Sequence, residues 1–265
     1  MPANNRDYLK ALDIDIWIPR DEVENYKEDN RAQAGIINNN ELVTVITDSN
    51  QYQTVPASSV EPNNNDVIAY GVSTYDWHEL QQAVMTCTLC ELAQSRTQAV
   101  FGVGNHQADL MIIGEAPGAD EDKQGEPFVG KAGQLLNAML KAIGFTRNDV
   151  YIANILKCRP PNNRDPKPEE AALCSSYLHR QIALVKPKLV LALGRIAAQR
   201  LLDTSTTLGR MRGQVYHLEE NNTPLMVTYH PAYLLRSPAE KSKSWEDLKA
   251  CKRFIYAARH REESL

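Results

Sequence analysis

The chain has 265 residues, enough for one sizeable domain with appendages or for two small ones, and a formal net charge of −4. That balance hides a split: residues 1–80 carry 5 basic and 14 acidic side chains, residues 81–265 carry 24 and 19, so the larger part is mildly basic and a nucleic-acid partner is not excluded. No apolar run approaches the ~20 residues of a membrane span, and no signal-peptide core opens the chain, so a cytoplasmic protein with no membrane role is expected, in which disulfides are rare.

Residues 1–20 stand apart. Tyr8, Leu9 and Leu12 fall on one face of a short helix; Ile14-Asp15-Ile16-Trp17-Ile18 then alternates like a strand before Pro19-Arg20. An aromatic and isoleucine cluster ahead of a polar stretch suggests a docking peptide; packing back onto the main domain is the other reading. Residues 21–75 are acidic and Asn-rich (Asn38-Asn39-Asn40, Asn63-Asn64-Asn65), with one candidate strand at Leu42–Ile46, and are expected to form a largely flexible linker.

From residue 76 to 265 the pattern is globular. A helix over Trp77–Met85 leads to Cys87-Thr88-Leu89-Cys90. The run Leu110-Met111-Ile112-Ile113 is short, unbroken and apolar, as a buried strand is. Glycines and prolines interrupt it from Gly114-Glu115-Ala116-Pro117-Gly118 to Gly125-Glu126-Pro127-Phe128-Val129-Gly130, and a helix follows over 131–143. Further strands are expected at Val150–Leu156, Leu189–Leu193 and Leu225–Thr228, with a short extra one at Val215–Leu218. Helices are expected from Pro168, from Arg195 and over Trp245–Ala257. Strands alternating with helices imply a mostly parallel sheet covered on both faces, with loops 114–130, 154–164 and 230–236 leaving one edge.

The 114–130 loop is the expected active site, because α/β folds bind ligands beyond the carboxyl ends of their strands. Glu115, Asp120, Glu121 and Asp122 crowd it, and their repulsion must be used or neutralised. It is not a phosphate-cradling loop, since no Gly-Lys-Ser/Thr closes it.

Four of the five cysteines form two pairs, Cys87 with Cys90 and Cys158 with Cys174. Thiolates with two residues between them aim at one centre, so the set reads as zinc or iron–sulfur; spacing does not choose between them. Either would tie the segment before the sheet to the loop after the second strand, a structural role. Cys251 sits in an apolar helical period and reads as core.

Gly114-Glu-Ala-Pro-Gly118, Gly125-x-Pro-Phe-Val-Gly130, Asn154, Lys157-Cys-Arg-Pro-Pro161, Asn163-Arg164, His230-Pro-Ala-Tyr-Leu-Leu-Arg236 and the four cysteines together resemble family 4 uracil-DNA glycosylases. The resemblance covers about residues 77–258. It implies an α/β fold, a three-layer α/β/α sandwich on a central four-stranded parallel sheet, acting as a monomer on uracil-containing DNA, single- or double-stranded. It further implies a [4Fe–4S] cluster on Cys87, Cys90, Cys158 and Cys174.

The implied roles follow from the chemistry of base excision. Beside Gly114, Phe128 would stack on the flipped uracil, Asn154 would read its edge, and Asn163 would support the pocket. His230 would donate to uracil O2 as negative charge develops there. A carboxylate would stabilise the electron-deficient sugar and orient water; Ala116 occupies the place of the aspartate used by better-known uracil glycosylases, leaving Glu115 and Glu121 as candidates. Leu234, Leu235 and Arg236 would fill the gap left by the extruded base, with Arg159, Arg164, Lys241 and Lys243 as phosphate contacts.

Separately, Leu12–Arg20 resembles the N-terminal peptide of the DNA polymerase III psi subunit, which implies docking on the clamp loader through residues 1–20. Two hypotheses follow: a uracil-DNA glycosylase tethered to the replisome, or a psi-like accessory subunit that uses the same fold for binding.

Overall fold

A computed structural model describes residues 71–262; the docking peptide, nearly all of the linker and the candidate strand at 42–46 lie outside the described residues. Helix α1 (Trp77–Thr86) starts where Asp76 accepts from the Glu79 amide and the Glu79 side chain accepts from the Asp76 amide, a reciprocal cap that satisfies two orphan donors. After the short helix α2 (Leu92–Ser95) the chain enters the sheet.

The sheet has six strands: β1 (Val103–Gly104), β2 (Leu110–Gly114), β3 (Tyr151–Asn154), β4 (Leu189–Leu193), β5 (Tyr216–His217) and β6 (Pro224–Thr228), in the order β1-β3-β2-β4-β6-β5. The inner four are parallel, as expected, and β1 and β5 flank them as antiparallel edges. The edge strand β1 was not anticipated; two residues are too few to show a period.

Between the strands lie α3 (Ala119–Gln124), α4 (Lys131–Ala142), α5 (Pro168–Val185), α6 (Arg195–Leu201) and α7 (Leu208–Met211), and after β6 come α8 (Pro231–Arg236) and α9 (Lys241–Glu262). Alternation along each strand divides the core into two layers. Leu110 and Ile112 of β2 face Leu136, Met139 and Leu140 of α4 and Leu248, Cys251 and Ile255 of α9. Met111 and Ile113 face Leu178 and Ile182 of α5 and Ala197 and Ala198 of α6. This is the three-layer α/β/α sandwich, and both faces of its inner strands are dry, which is why those strands read as unbroken apolar runs. Cys251, wholly buried, is core.

Two expectations are corrected. The last helix runs past Trp245–Ala257 at both ends, because its terminal turns are polar and carry no apolar period. Residues 119–124 and 231–236, expected as loop, are short helices.

Candidate active site

The strand register brings the site together. Gly114, last in β2, pairs with Asn154, last in β3, and His230 lies two residues beyond β6. A Cβ on Gly114 would stand 2.4 Å from Asn154 Oδ1 and 2.6 Å from Phe128 Cζ, so only glycine lets the amide and the ring converge there. The resulting cleft, about 430 Å³, is lined by Glu115, Phe128, Asn154, Asn163, His230 and Tyr233 among others, within the usual range for small-molecule sites.

Phe128 is buried with φ +55°, a left-handed backbone that costs a bulky residue about 1–3 kcal/mol. Arg147 holds it there by donating to the Pro127 carbonyl at 2.7 Å and the Phe128 carbonyl at 3.2 Å. Helix α4 abuts the same backbone: a Cβ on Gly133 would collide with the Phe128 carbonyl, so this turn requires glycine. The Phe128 and His230 rings lie 5.5 Å apart at 32°.

Asn154 is 2 % exposed, and its Oδ1 is a buried side-chain oxygen without a protein partner. An orphaned acceptor of this kind ordinarily costs about 1–3 kcal/mol; here it lies on the wall of the cleft, where a ligand's donor could reach it. His230 caps α8, its Nδ1 accepting from the Ala232 amide at 3.2 Å. Burial, with a contribution from Arg236, pulls its pKa down to about 4, so at neutral pH it is an uncharged imidazole. With Nδ1 an acceptor, the proton sits on Nε2, a donor.

The crowded acids are separated by different means. Glu121 accepts from the amides of Gly118, Val129 and Gly130 and so braces two stretches of the loop against each other. Asp122 accepts from the Thr97 amide and hydroxyl, at 2.9 and 2.7 Å. Glu115 is raised to about 7 by burial and by Asp165, with Arg195 opposing.

The expected DNA-facing side chains fare unequally. Leu234 is 1 % exposed and belongs to the core, so it has no surface to offer a gap in DNA; Lys241, 8 % exposed, is likewise no free phosphate contact. Leu235 is exposed, and Arg236 lines the cleft. Arg164 is engaged by Glu170 through two short hydrogen bonds, 2.6 and 2.9 Å, and Arg159 donates to Asn163 Oδ1 at 2.8 Å. Lys243 pairs with Glu240 at 2.9 Å.

Cys87, Cys90, Cys158 and Cys174 line one small cavity with Arg96, Lys157 and Tyr177. Arg96 donates to Cys158 Sγ at 2.9 Å and the Lys157 amide to Cys174 Sγ at 3.4 Å. The Lys157 ammonium is buried, held by the Asn154 carbonyl at 2.9 Å and Gln181 Oε1 at 2.6 Å. The Arg96 guanidinium and the Lys157 ammonium, the latter with its pKa lowered to about 8 by burial, thus stand beside the four thiols. Among the described residues, no three Cys, His, Asp or Glu are grouped tightly enough for one metal ion.

Arg147, Gly133, Gln181 and Tyr233 were not singled out from the sequence. Arg147 lies outside every motif and carried no signal; Tyr233 and Lys157 stood inside quoted motifs without a role.

The uracil DNA glycosylase superfamily matches residues 101–249. The chain is 46% identical over 177 residues to the type-4 uracil-DNA glycosylase of Archaeoglobus fulgidus, covering 64% of this chain and 89% of that protein. It is 43% identical to that of Pyrobaculum aerophilum, over 65% of this chain and 91% of the other, and 40% identical to that of Thermotoga maritima, over 66% and 93%.

Proposed function

The chain belongs to the uracil DNA glycosylase superfamily, and on that premise we propose that it takes a uracil nucleotide out of DNA into this cleft and hydrolyses its N-glycosidic bond, releasing uracil and leaving an abasic site. The observation that carries the reading is the orphaned, buried Oδ1 of Asn154 on the cleft wall. Uracil N3–H satisfies it, and the same amide donates to O4. Cytosine presents the reverse pattern, which would leave buried groups unpaired.

Phe128, locked by Arg147, is the plate on which the ring lies. As the glycosidic bond breaks, negative charge grows on uracil O2 and meets the Nε2–H of neutral His230, an interaction stronger in the transition state than in the ground state. Glu115, with a pKa of about 7, is matched to taking a proton from the attacking water near neutral pH. Glu121, its oxygens taken by backbone amides, organises the loop and adds negative charge opposite the cationic sugar.

The four-thiol cavity fits an iron–sulfur cluster. Arg96 and Lys157, beside the four thiols, complement an anionic group. Cys87, Cys90, Cys158 and Cys174 would hold a [4Fe–4S] cluster, which when bound supplies cross-linking rather than a reacting atom. It would join the end of α1 to the loop after β3 and to α5.

Among the described residues no helix is long and apolar enough to cross a membrane. Docking on the clamp loader is carried by the sequence of residues 1–20 alone; their deletion should abolish clamp-loader pull-down and spare excision on naked DNA. The decisive test of function is release of uracil from a single-uracil oligonucleotide by cluster-replete protein. Release from uracil and not from cytosine supports the enzyme, and no release favours the binding subunit.

A further inference from the structure

We propose that Tyr233 is the side chain that stacks against the base neighbouring the extruded nucleotide, through an aromatic shelf built at the mouth of the cleft; this rests on the uracil-excision reading above. Removing a nucleotide from a duplex leaves a gap that an apolar side chain must occupy, or the nucleotide falls back. Helix α8 decides which side chain does so. Pro231 and Leu234, three apart, turn into the core, which leaves Tyr233, 38 % exposed, and Leu235, 45 % exposed, on its outer surface. Of these two only Tyr233 lines the cleft, together with His230 and Arg236.

The tyrosine is also held in place. Its ring stacks on Tyr229 with centroids 5.2 Å apart and planes 20° apart. The Arg212 guanidinium lies 4.7 Å from the centre of the Tyr229 ring. Arg212 is in turn fixed by Asp247 through contacts of 2.7 and 3.0 Å, and Asp247 accepts from buried Thr228 at 2.7 Å. A ring anchored through Tyr229, Arg212 and Asp247 to the end of β6 presents a rigid π-face beside the site. Any base can stack on such a face, so the contact is independent of the neighbouring sequence.

The test is the ratio of kcat/KM for uracil release from a duplex to that from the same single strand, measured on the full-length, cluster-replete protein. A strand without a partner has no base pair to break and no gap to hold. Tyr233→Ala is expected to lower that ratio about tenfold, within the range for losing one base–aromatic stack, and Tyr233→Phe to restore it. In a duplex with 2-aminopurine beside the uracil, the unaltered protein should quench the probe by stacking, and Tyr233→Ala should not. An unchanged ratio in Tyr233→Ala, or the whole loss appearing in Leu235→Ala, would overturn the shelf. Uracil release by the unaltered protein reports separately on the reading beneath it.

Discussion

The Ala232 amide donates to Nδ1 of His230 at 3.2 Å, so the first turn of α8 selects the tautomer that carries its proton on Nε2. One backbone contact therefore caps a helix and sets which ring nitrogen donates. Removing this donor by His230→Ala should lower kcat about 10²–10³-fold, the scale for losing one preorganised donor to a developing anion, with KM changed much less. Burial depresses the imidazole from 6.5 to about 4. The folded state thus resists protonation, and His230 destabilises it progressively as pH falls from 6.5 toward 4. Thermal melts of wild type and His230→Ala should converge at acid pH on this account.

Glu115 has the opposite signature. Its folded pKa of about 7 lies above the ordinary 4.5, so the folded state keeps the proton longer. The associated stability is present below 4.5 and is lost as pH rises through about 7. Excision should rise over the same interval as the carboxylate forms. Glu115→Gln is expected to remove that rise from the kcat profile while making the melting temperature less sensitive to alkali. A profile unchanged in Glu115→Gln would hand water activation to another group.

The proposed seat for the base depends on what is missing at Gly114. Gly114→Ala places a methyl 2.4 Å from Asn154 Oδ1 and 2.6 Å from Phe128 Cζ. We expect excision to fall steeply, with a stability cost of about 1–3 kcal/mol for overpacking. Asn154→Ala should cost about a hundredfold in kcat/KM, as hydrogen bonds worth about 1.5–3 kcal/mol are lost. Its stability should hold, because an unsatisfied buried oxygen leaves with the amide. Uracil-release kinetics and denaturant melts check both.

The cavity around Cys174 predicts a metal-dependent fold. Cys174→Ser should reduce bound iron, bleach the visible absorbance and lower the melting temperature, and iron chelation of the wild type should do the same. Zinc in place of iron in elemental analysis would overturn the cluster.

Much of the scaffold was legible in the chain because burial writes itself into residue type. Leu189–Leu193 reads as a strand from end to end since both of its faces are dry. Trp245, Leu248, Cys251 and Ile255 show their helical spacing because one face is buried, while the polar turns beyond them carry no such mark. Edge strand β1 was invisible, its pairing depending on the neighbour β3 rather than on its own residues. The site motifs were equally visible as residue types, and so was the pairing of four cysteines.

What those side chains face was not. The sequence alone determined the α/β class, the order of the parallel strands' motifs and the residue kinds at the site, because those follow from local pattern. Tertiary structure decided that Leu234 packs inward and Tyr233 outward, that Glu121 is taken by backbone amides while burial and Asp165 raise Glu115 to about 7, and that Arg147 pins Phe128 from outside any motif. The physical reason is that helix phase, burial and hydrogen-bond partners are set by contacts between segments far apart in the chain, and local pattern carries no record of them.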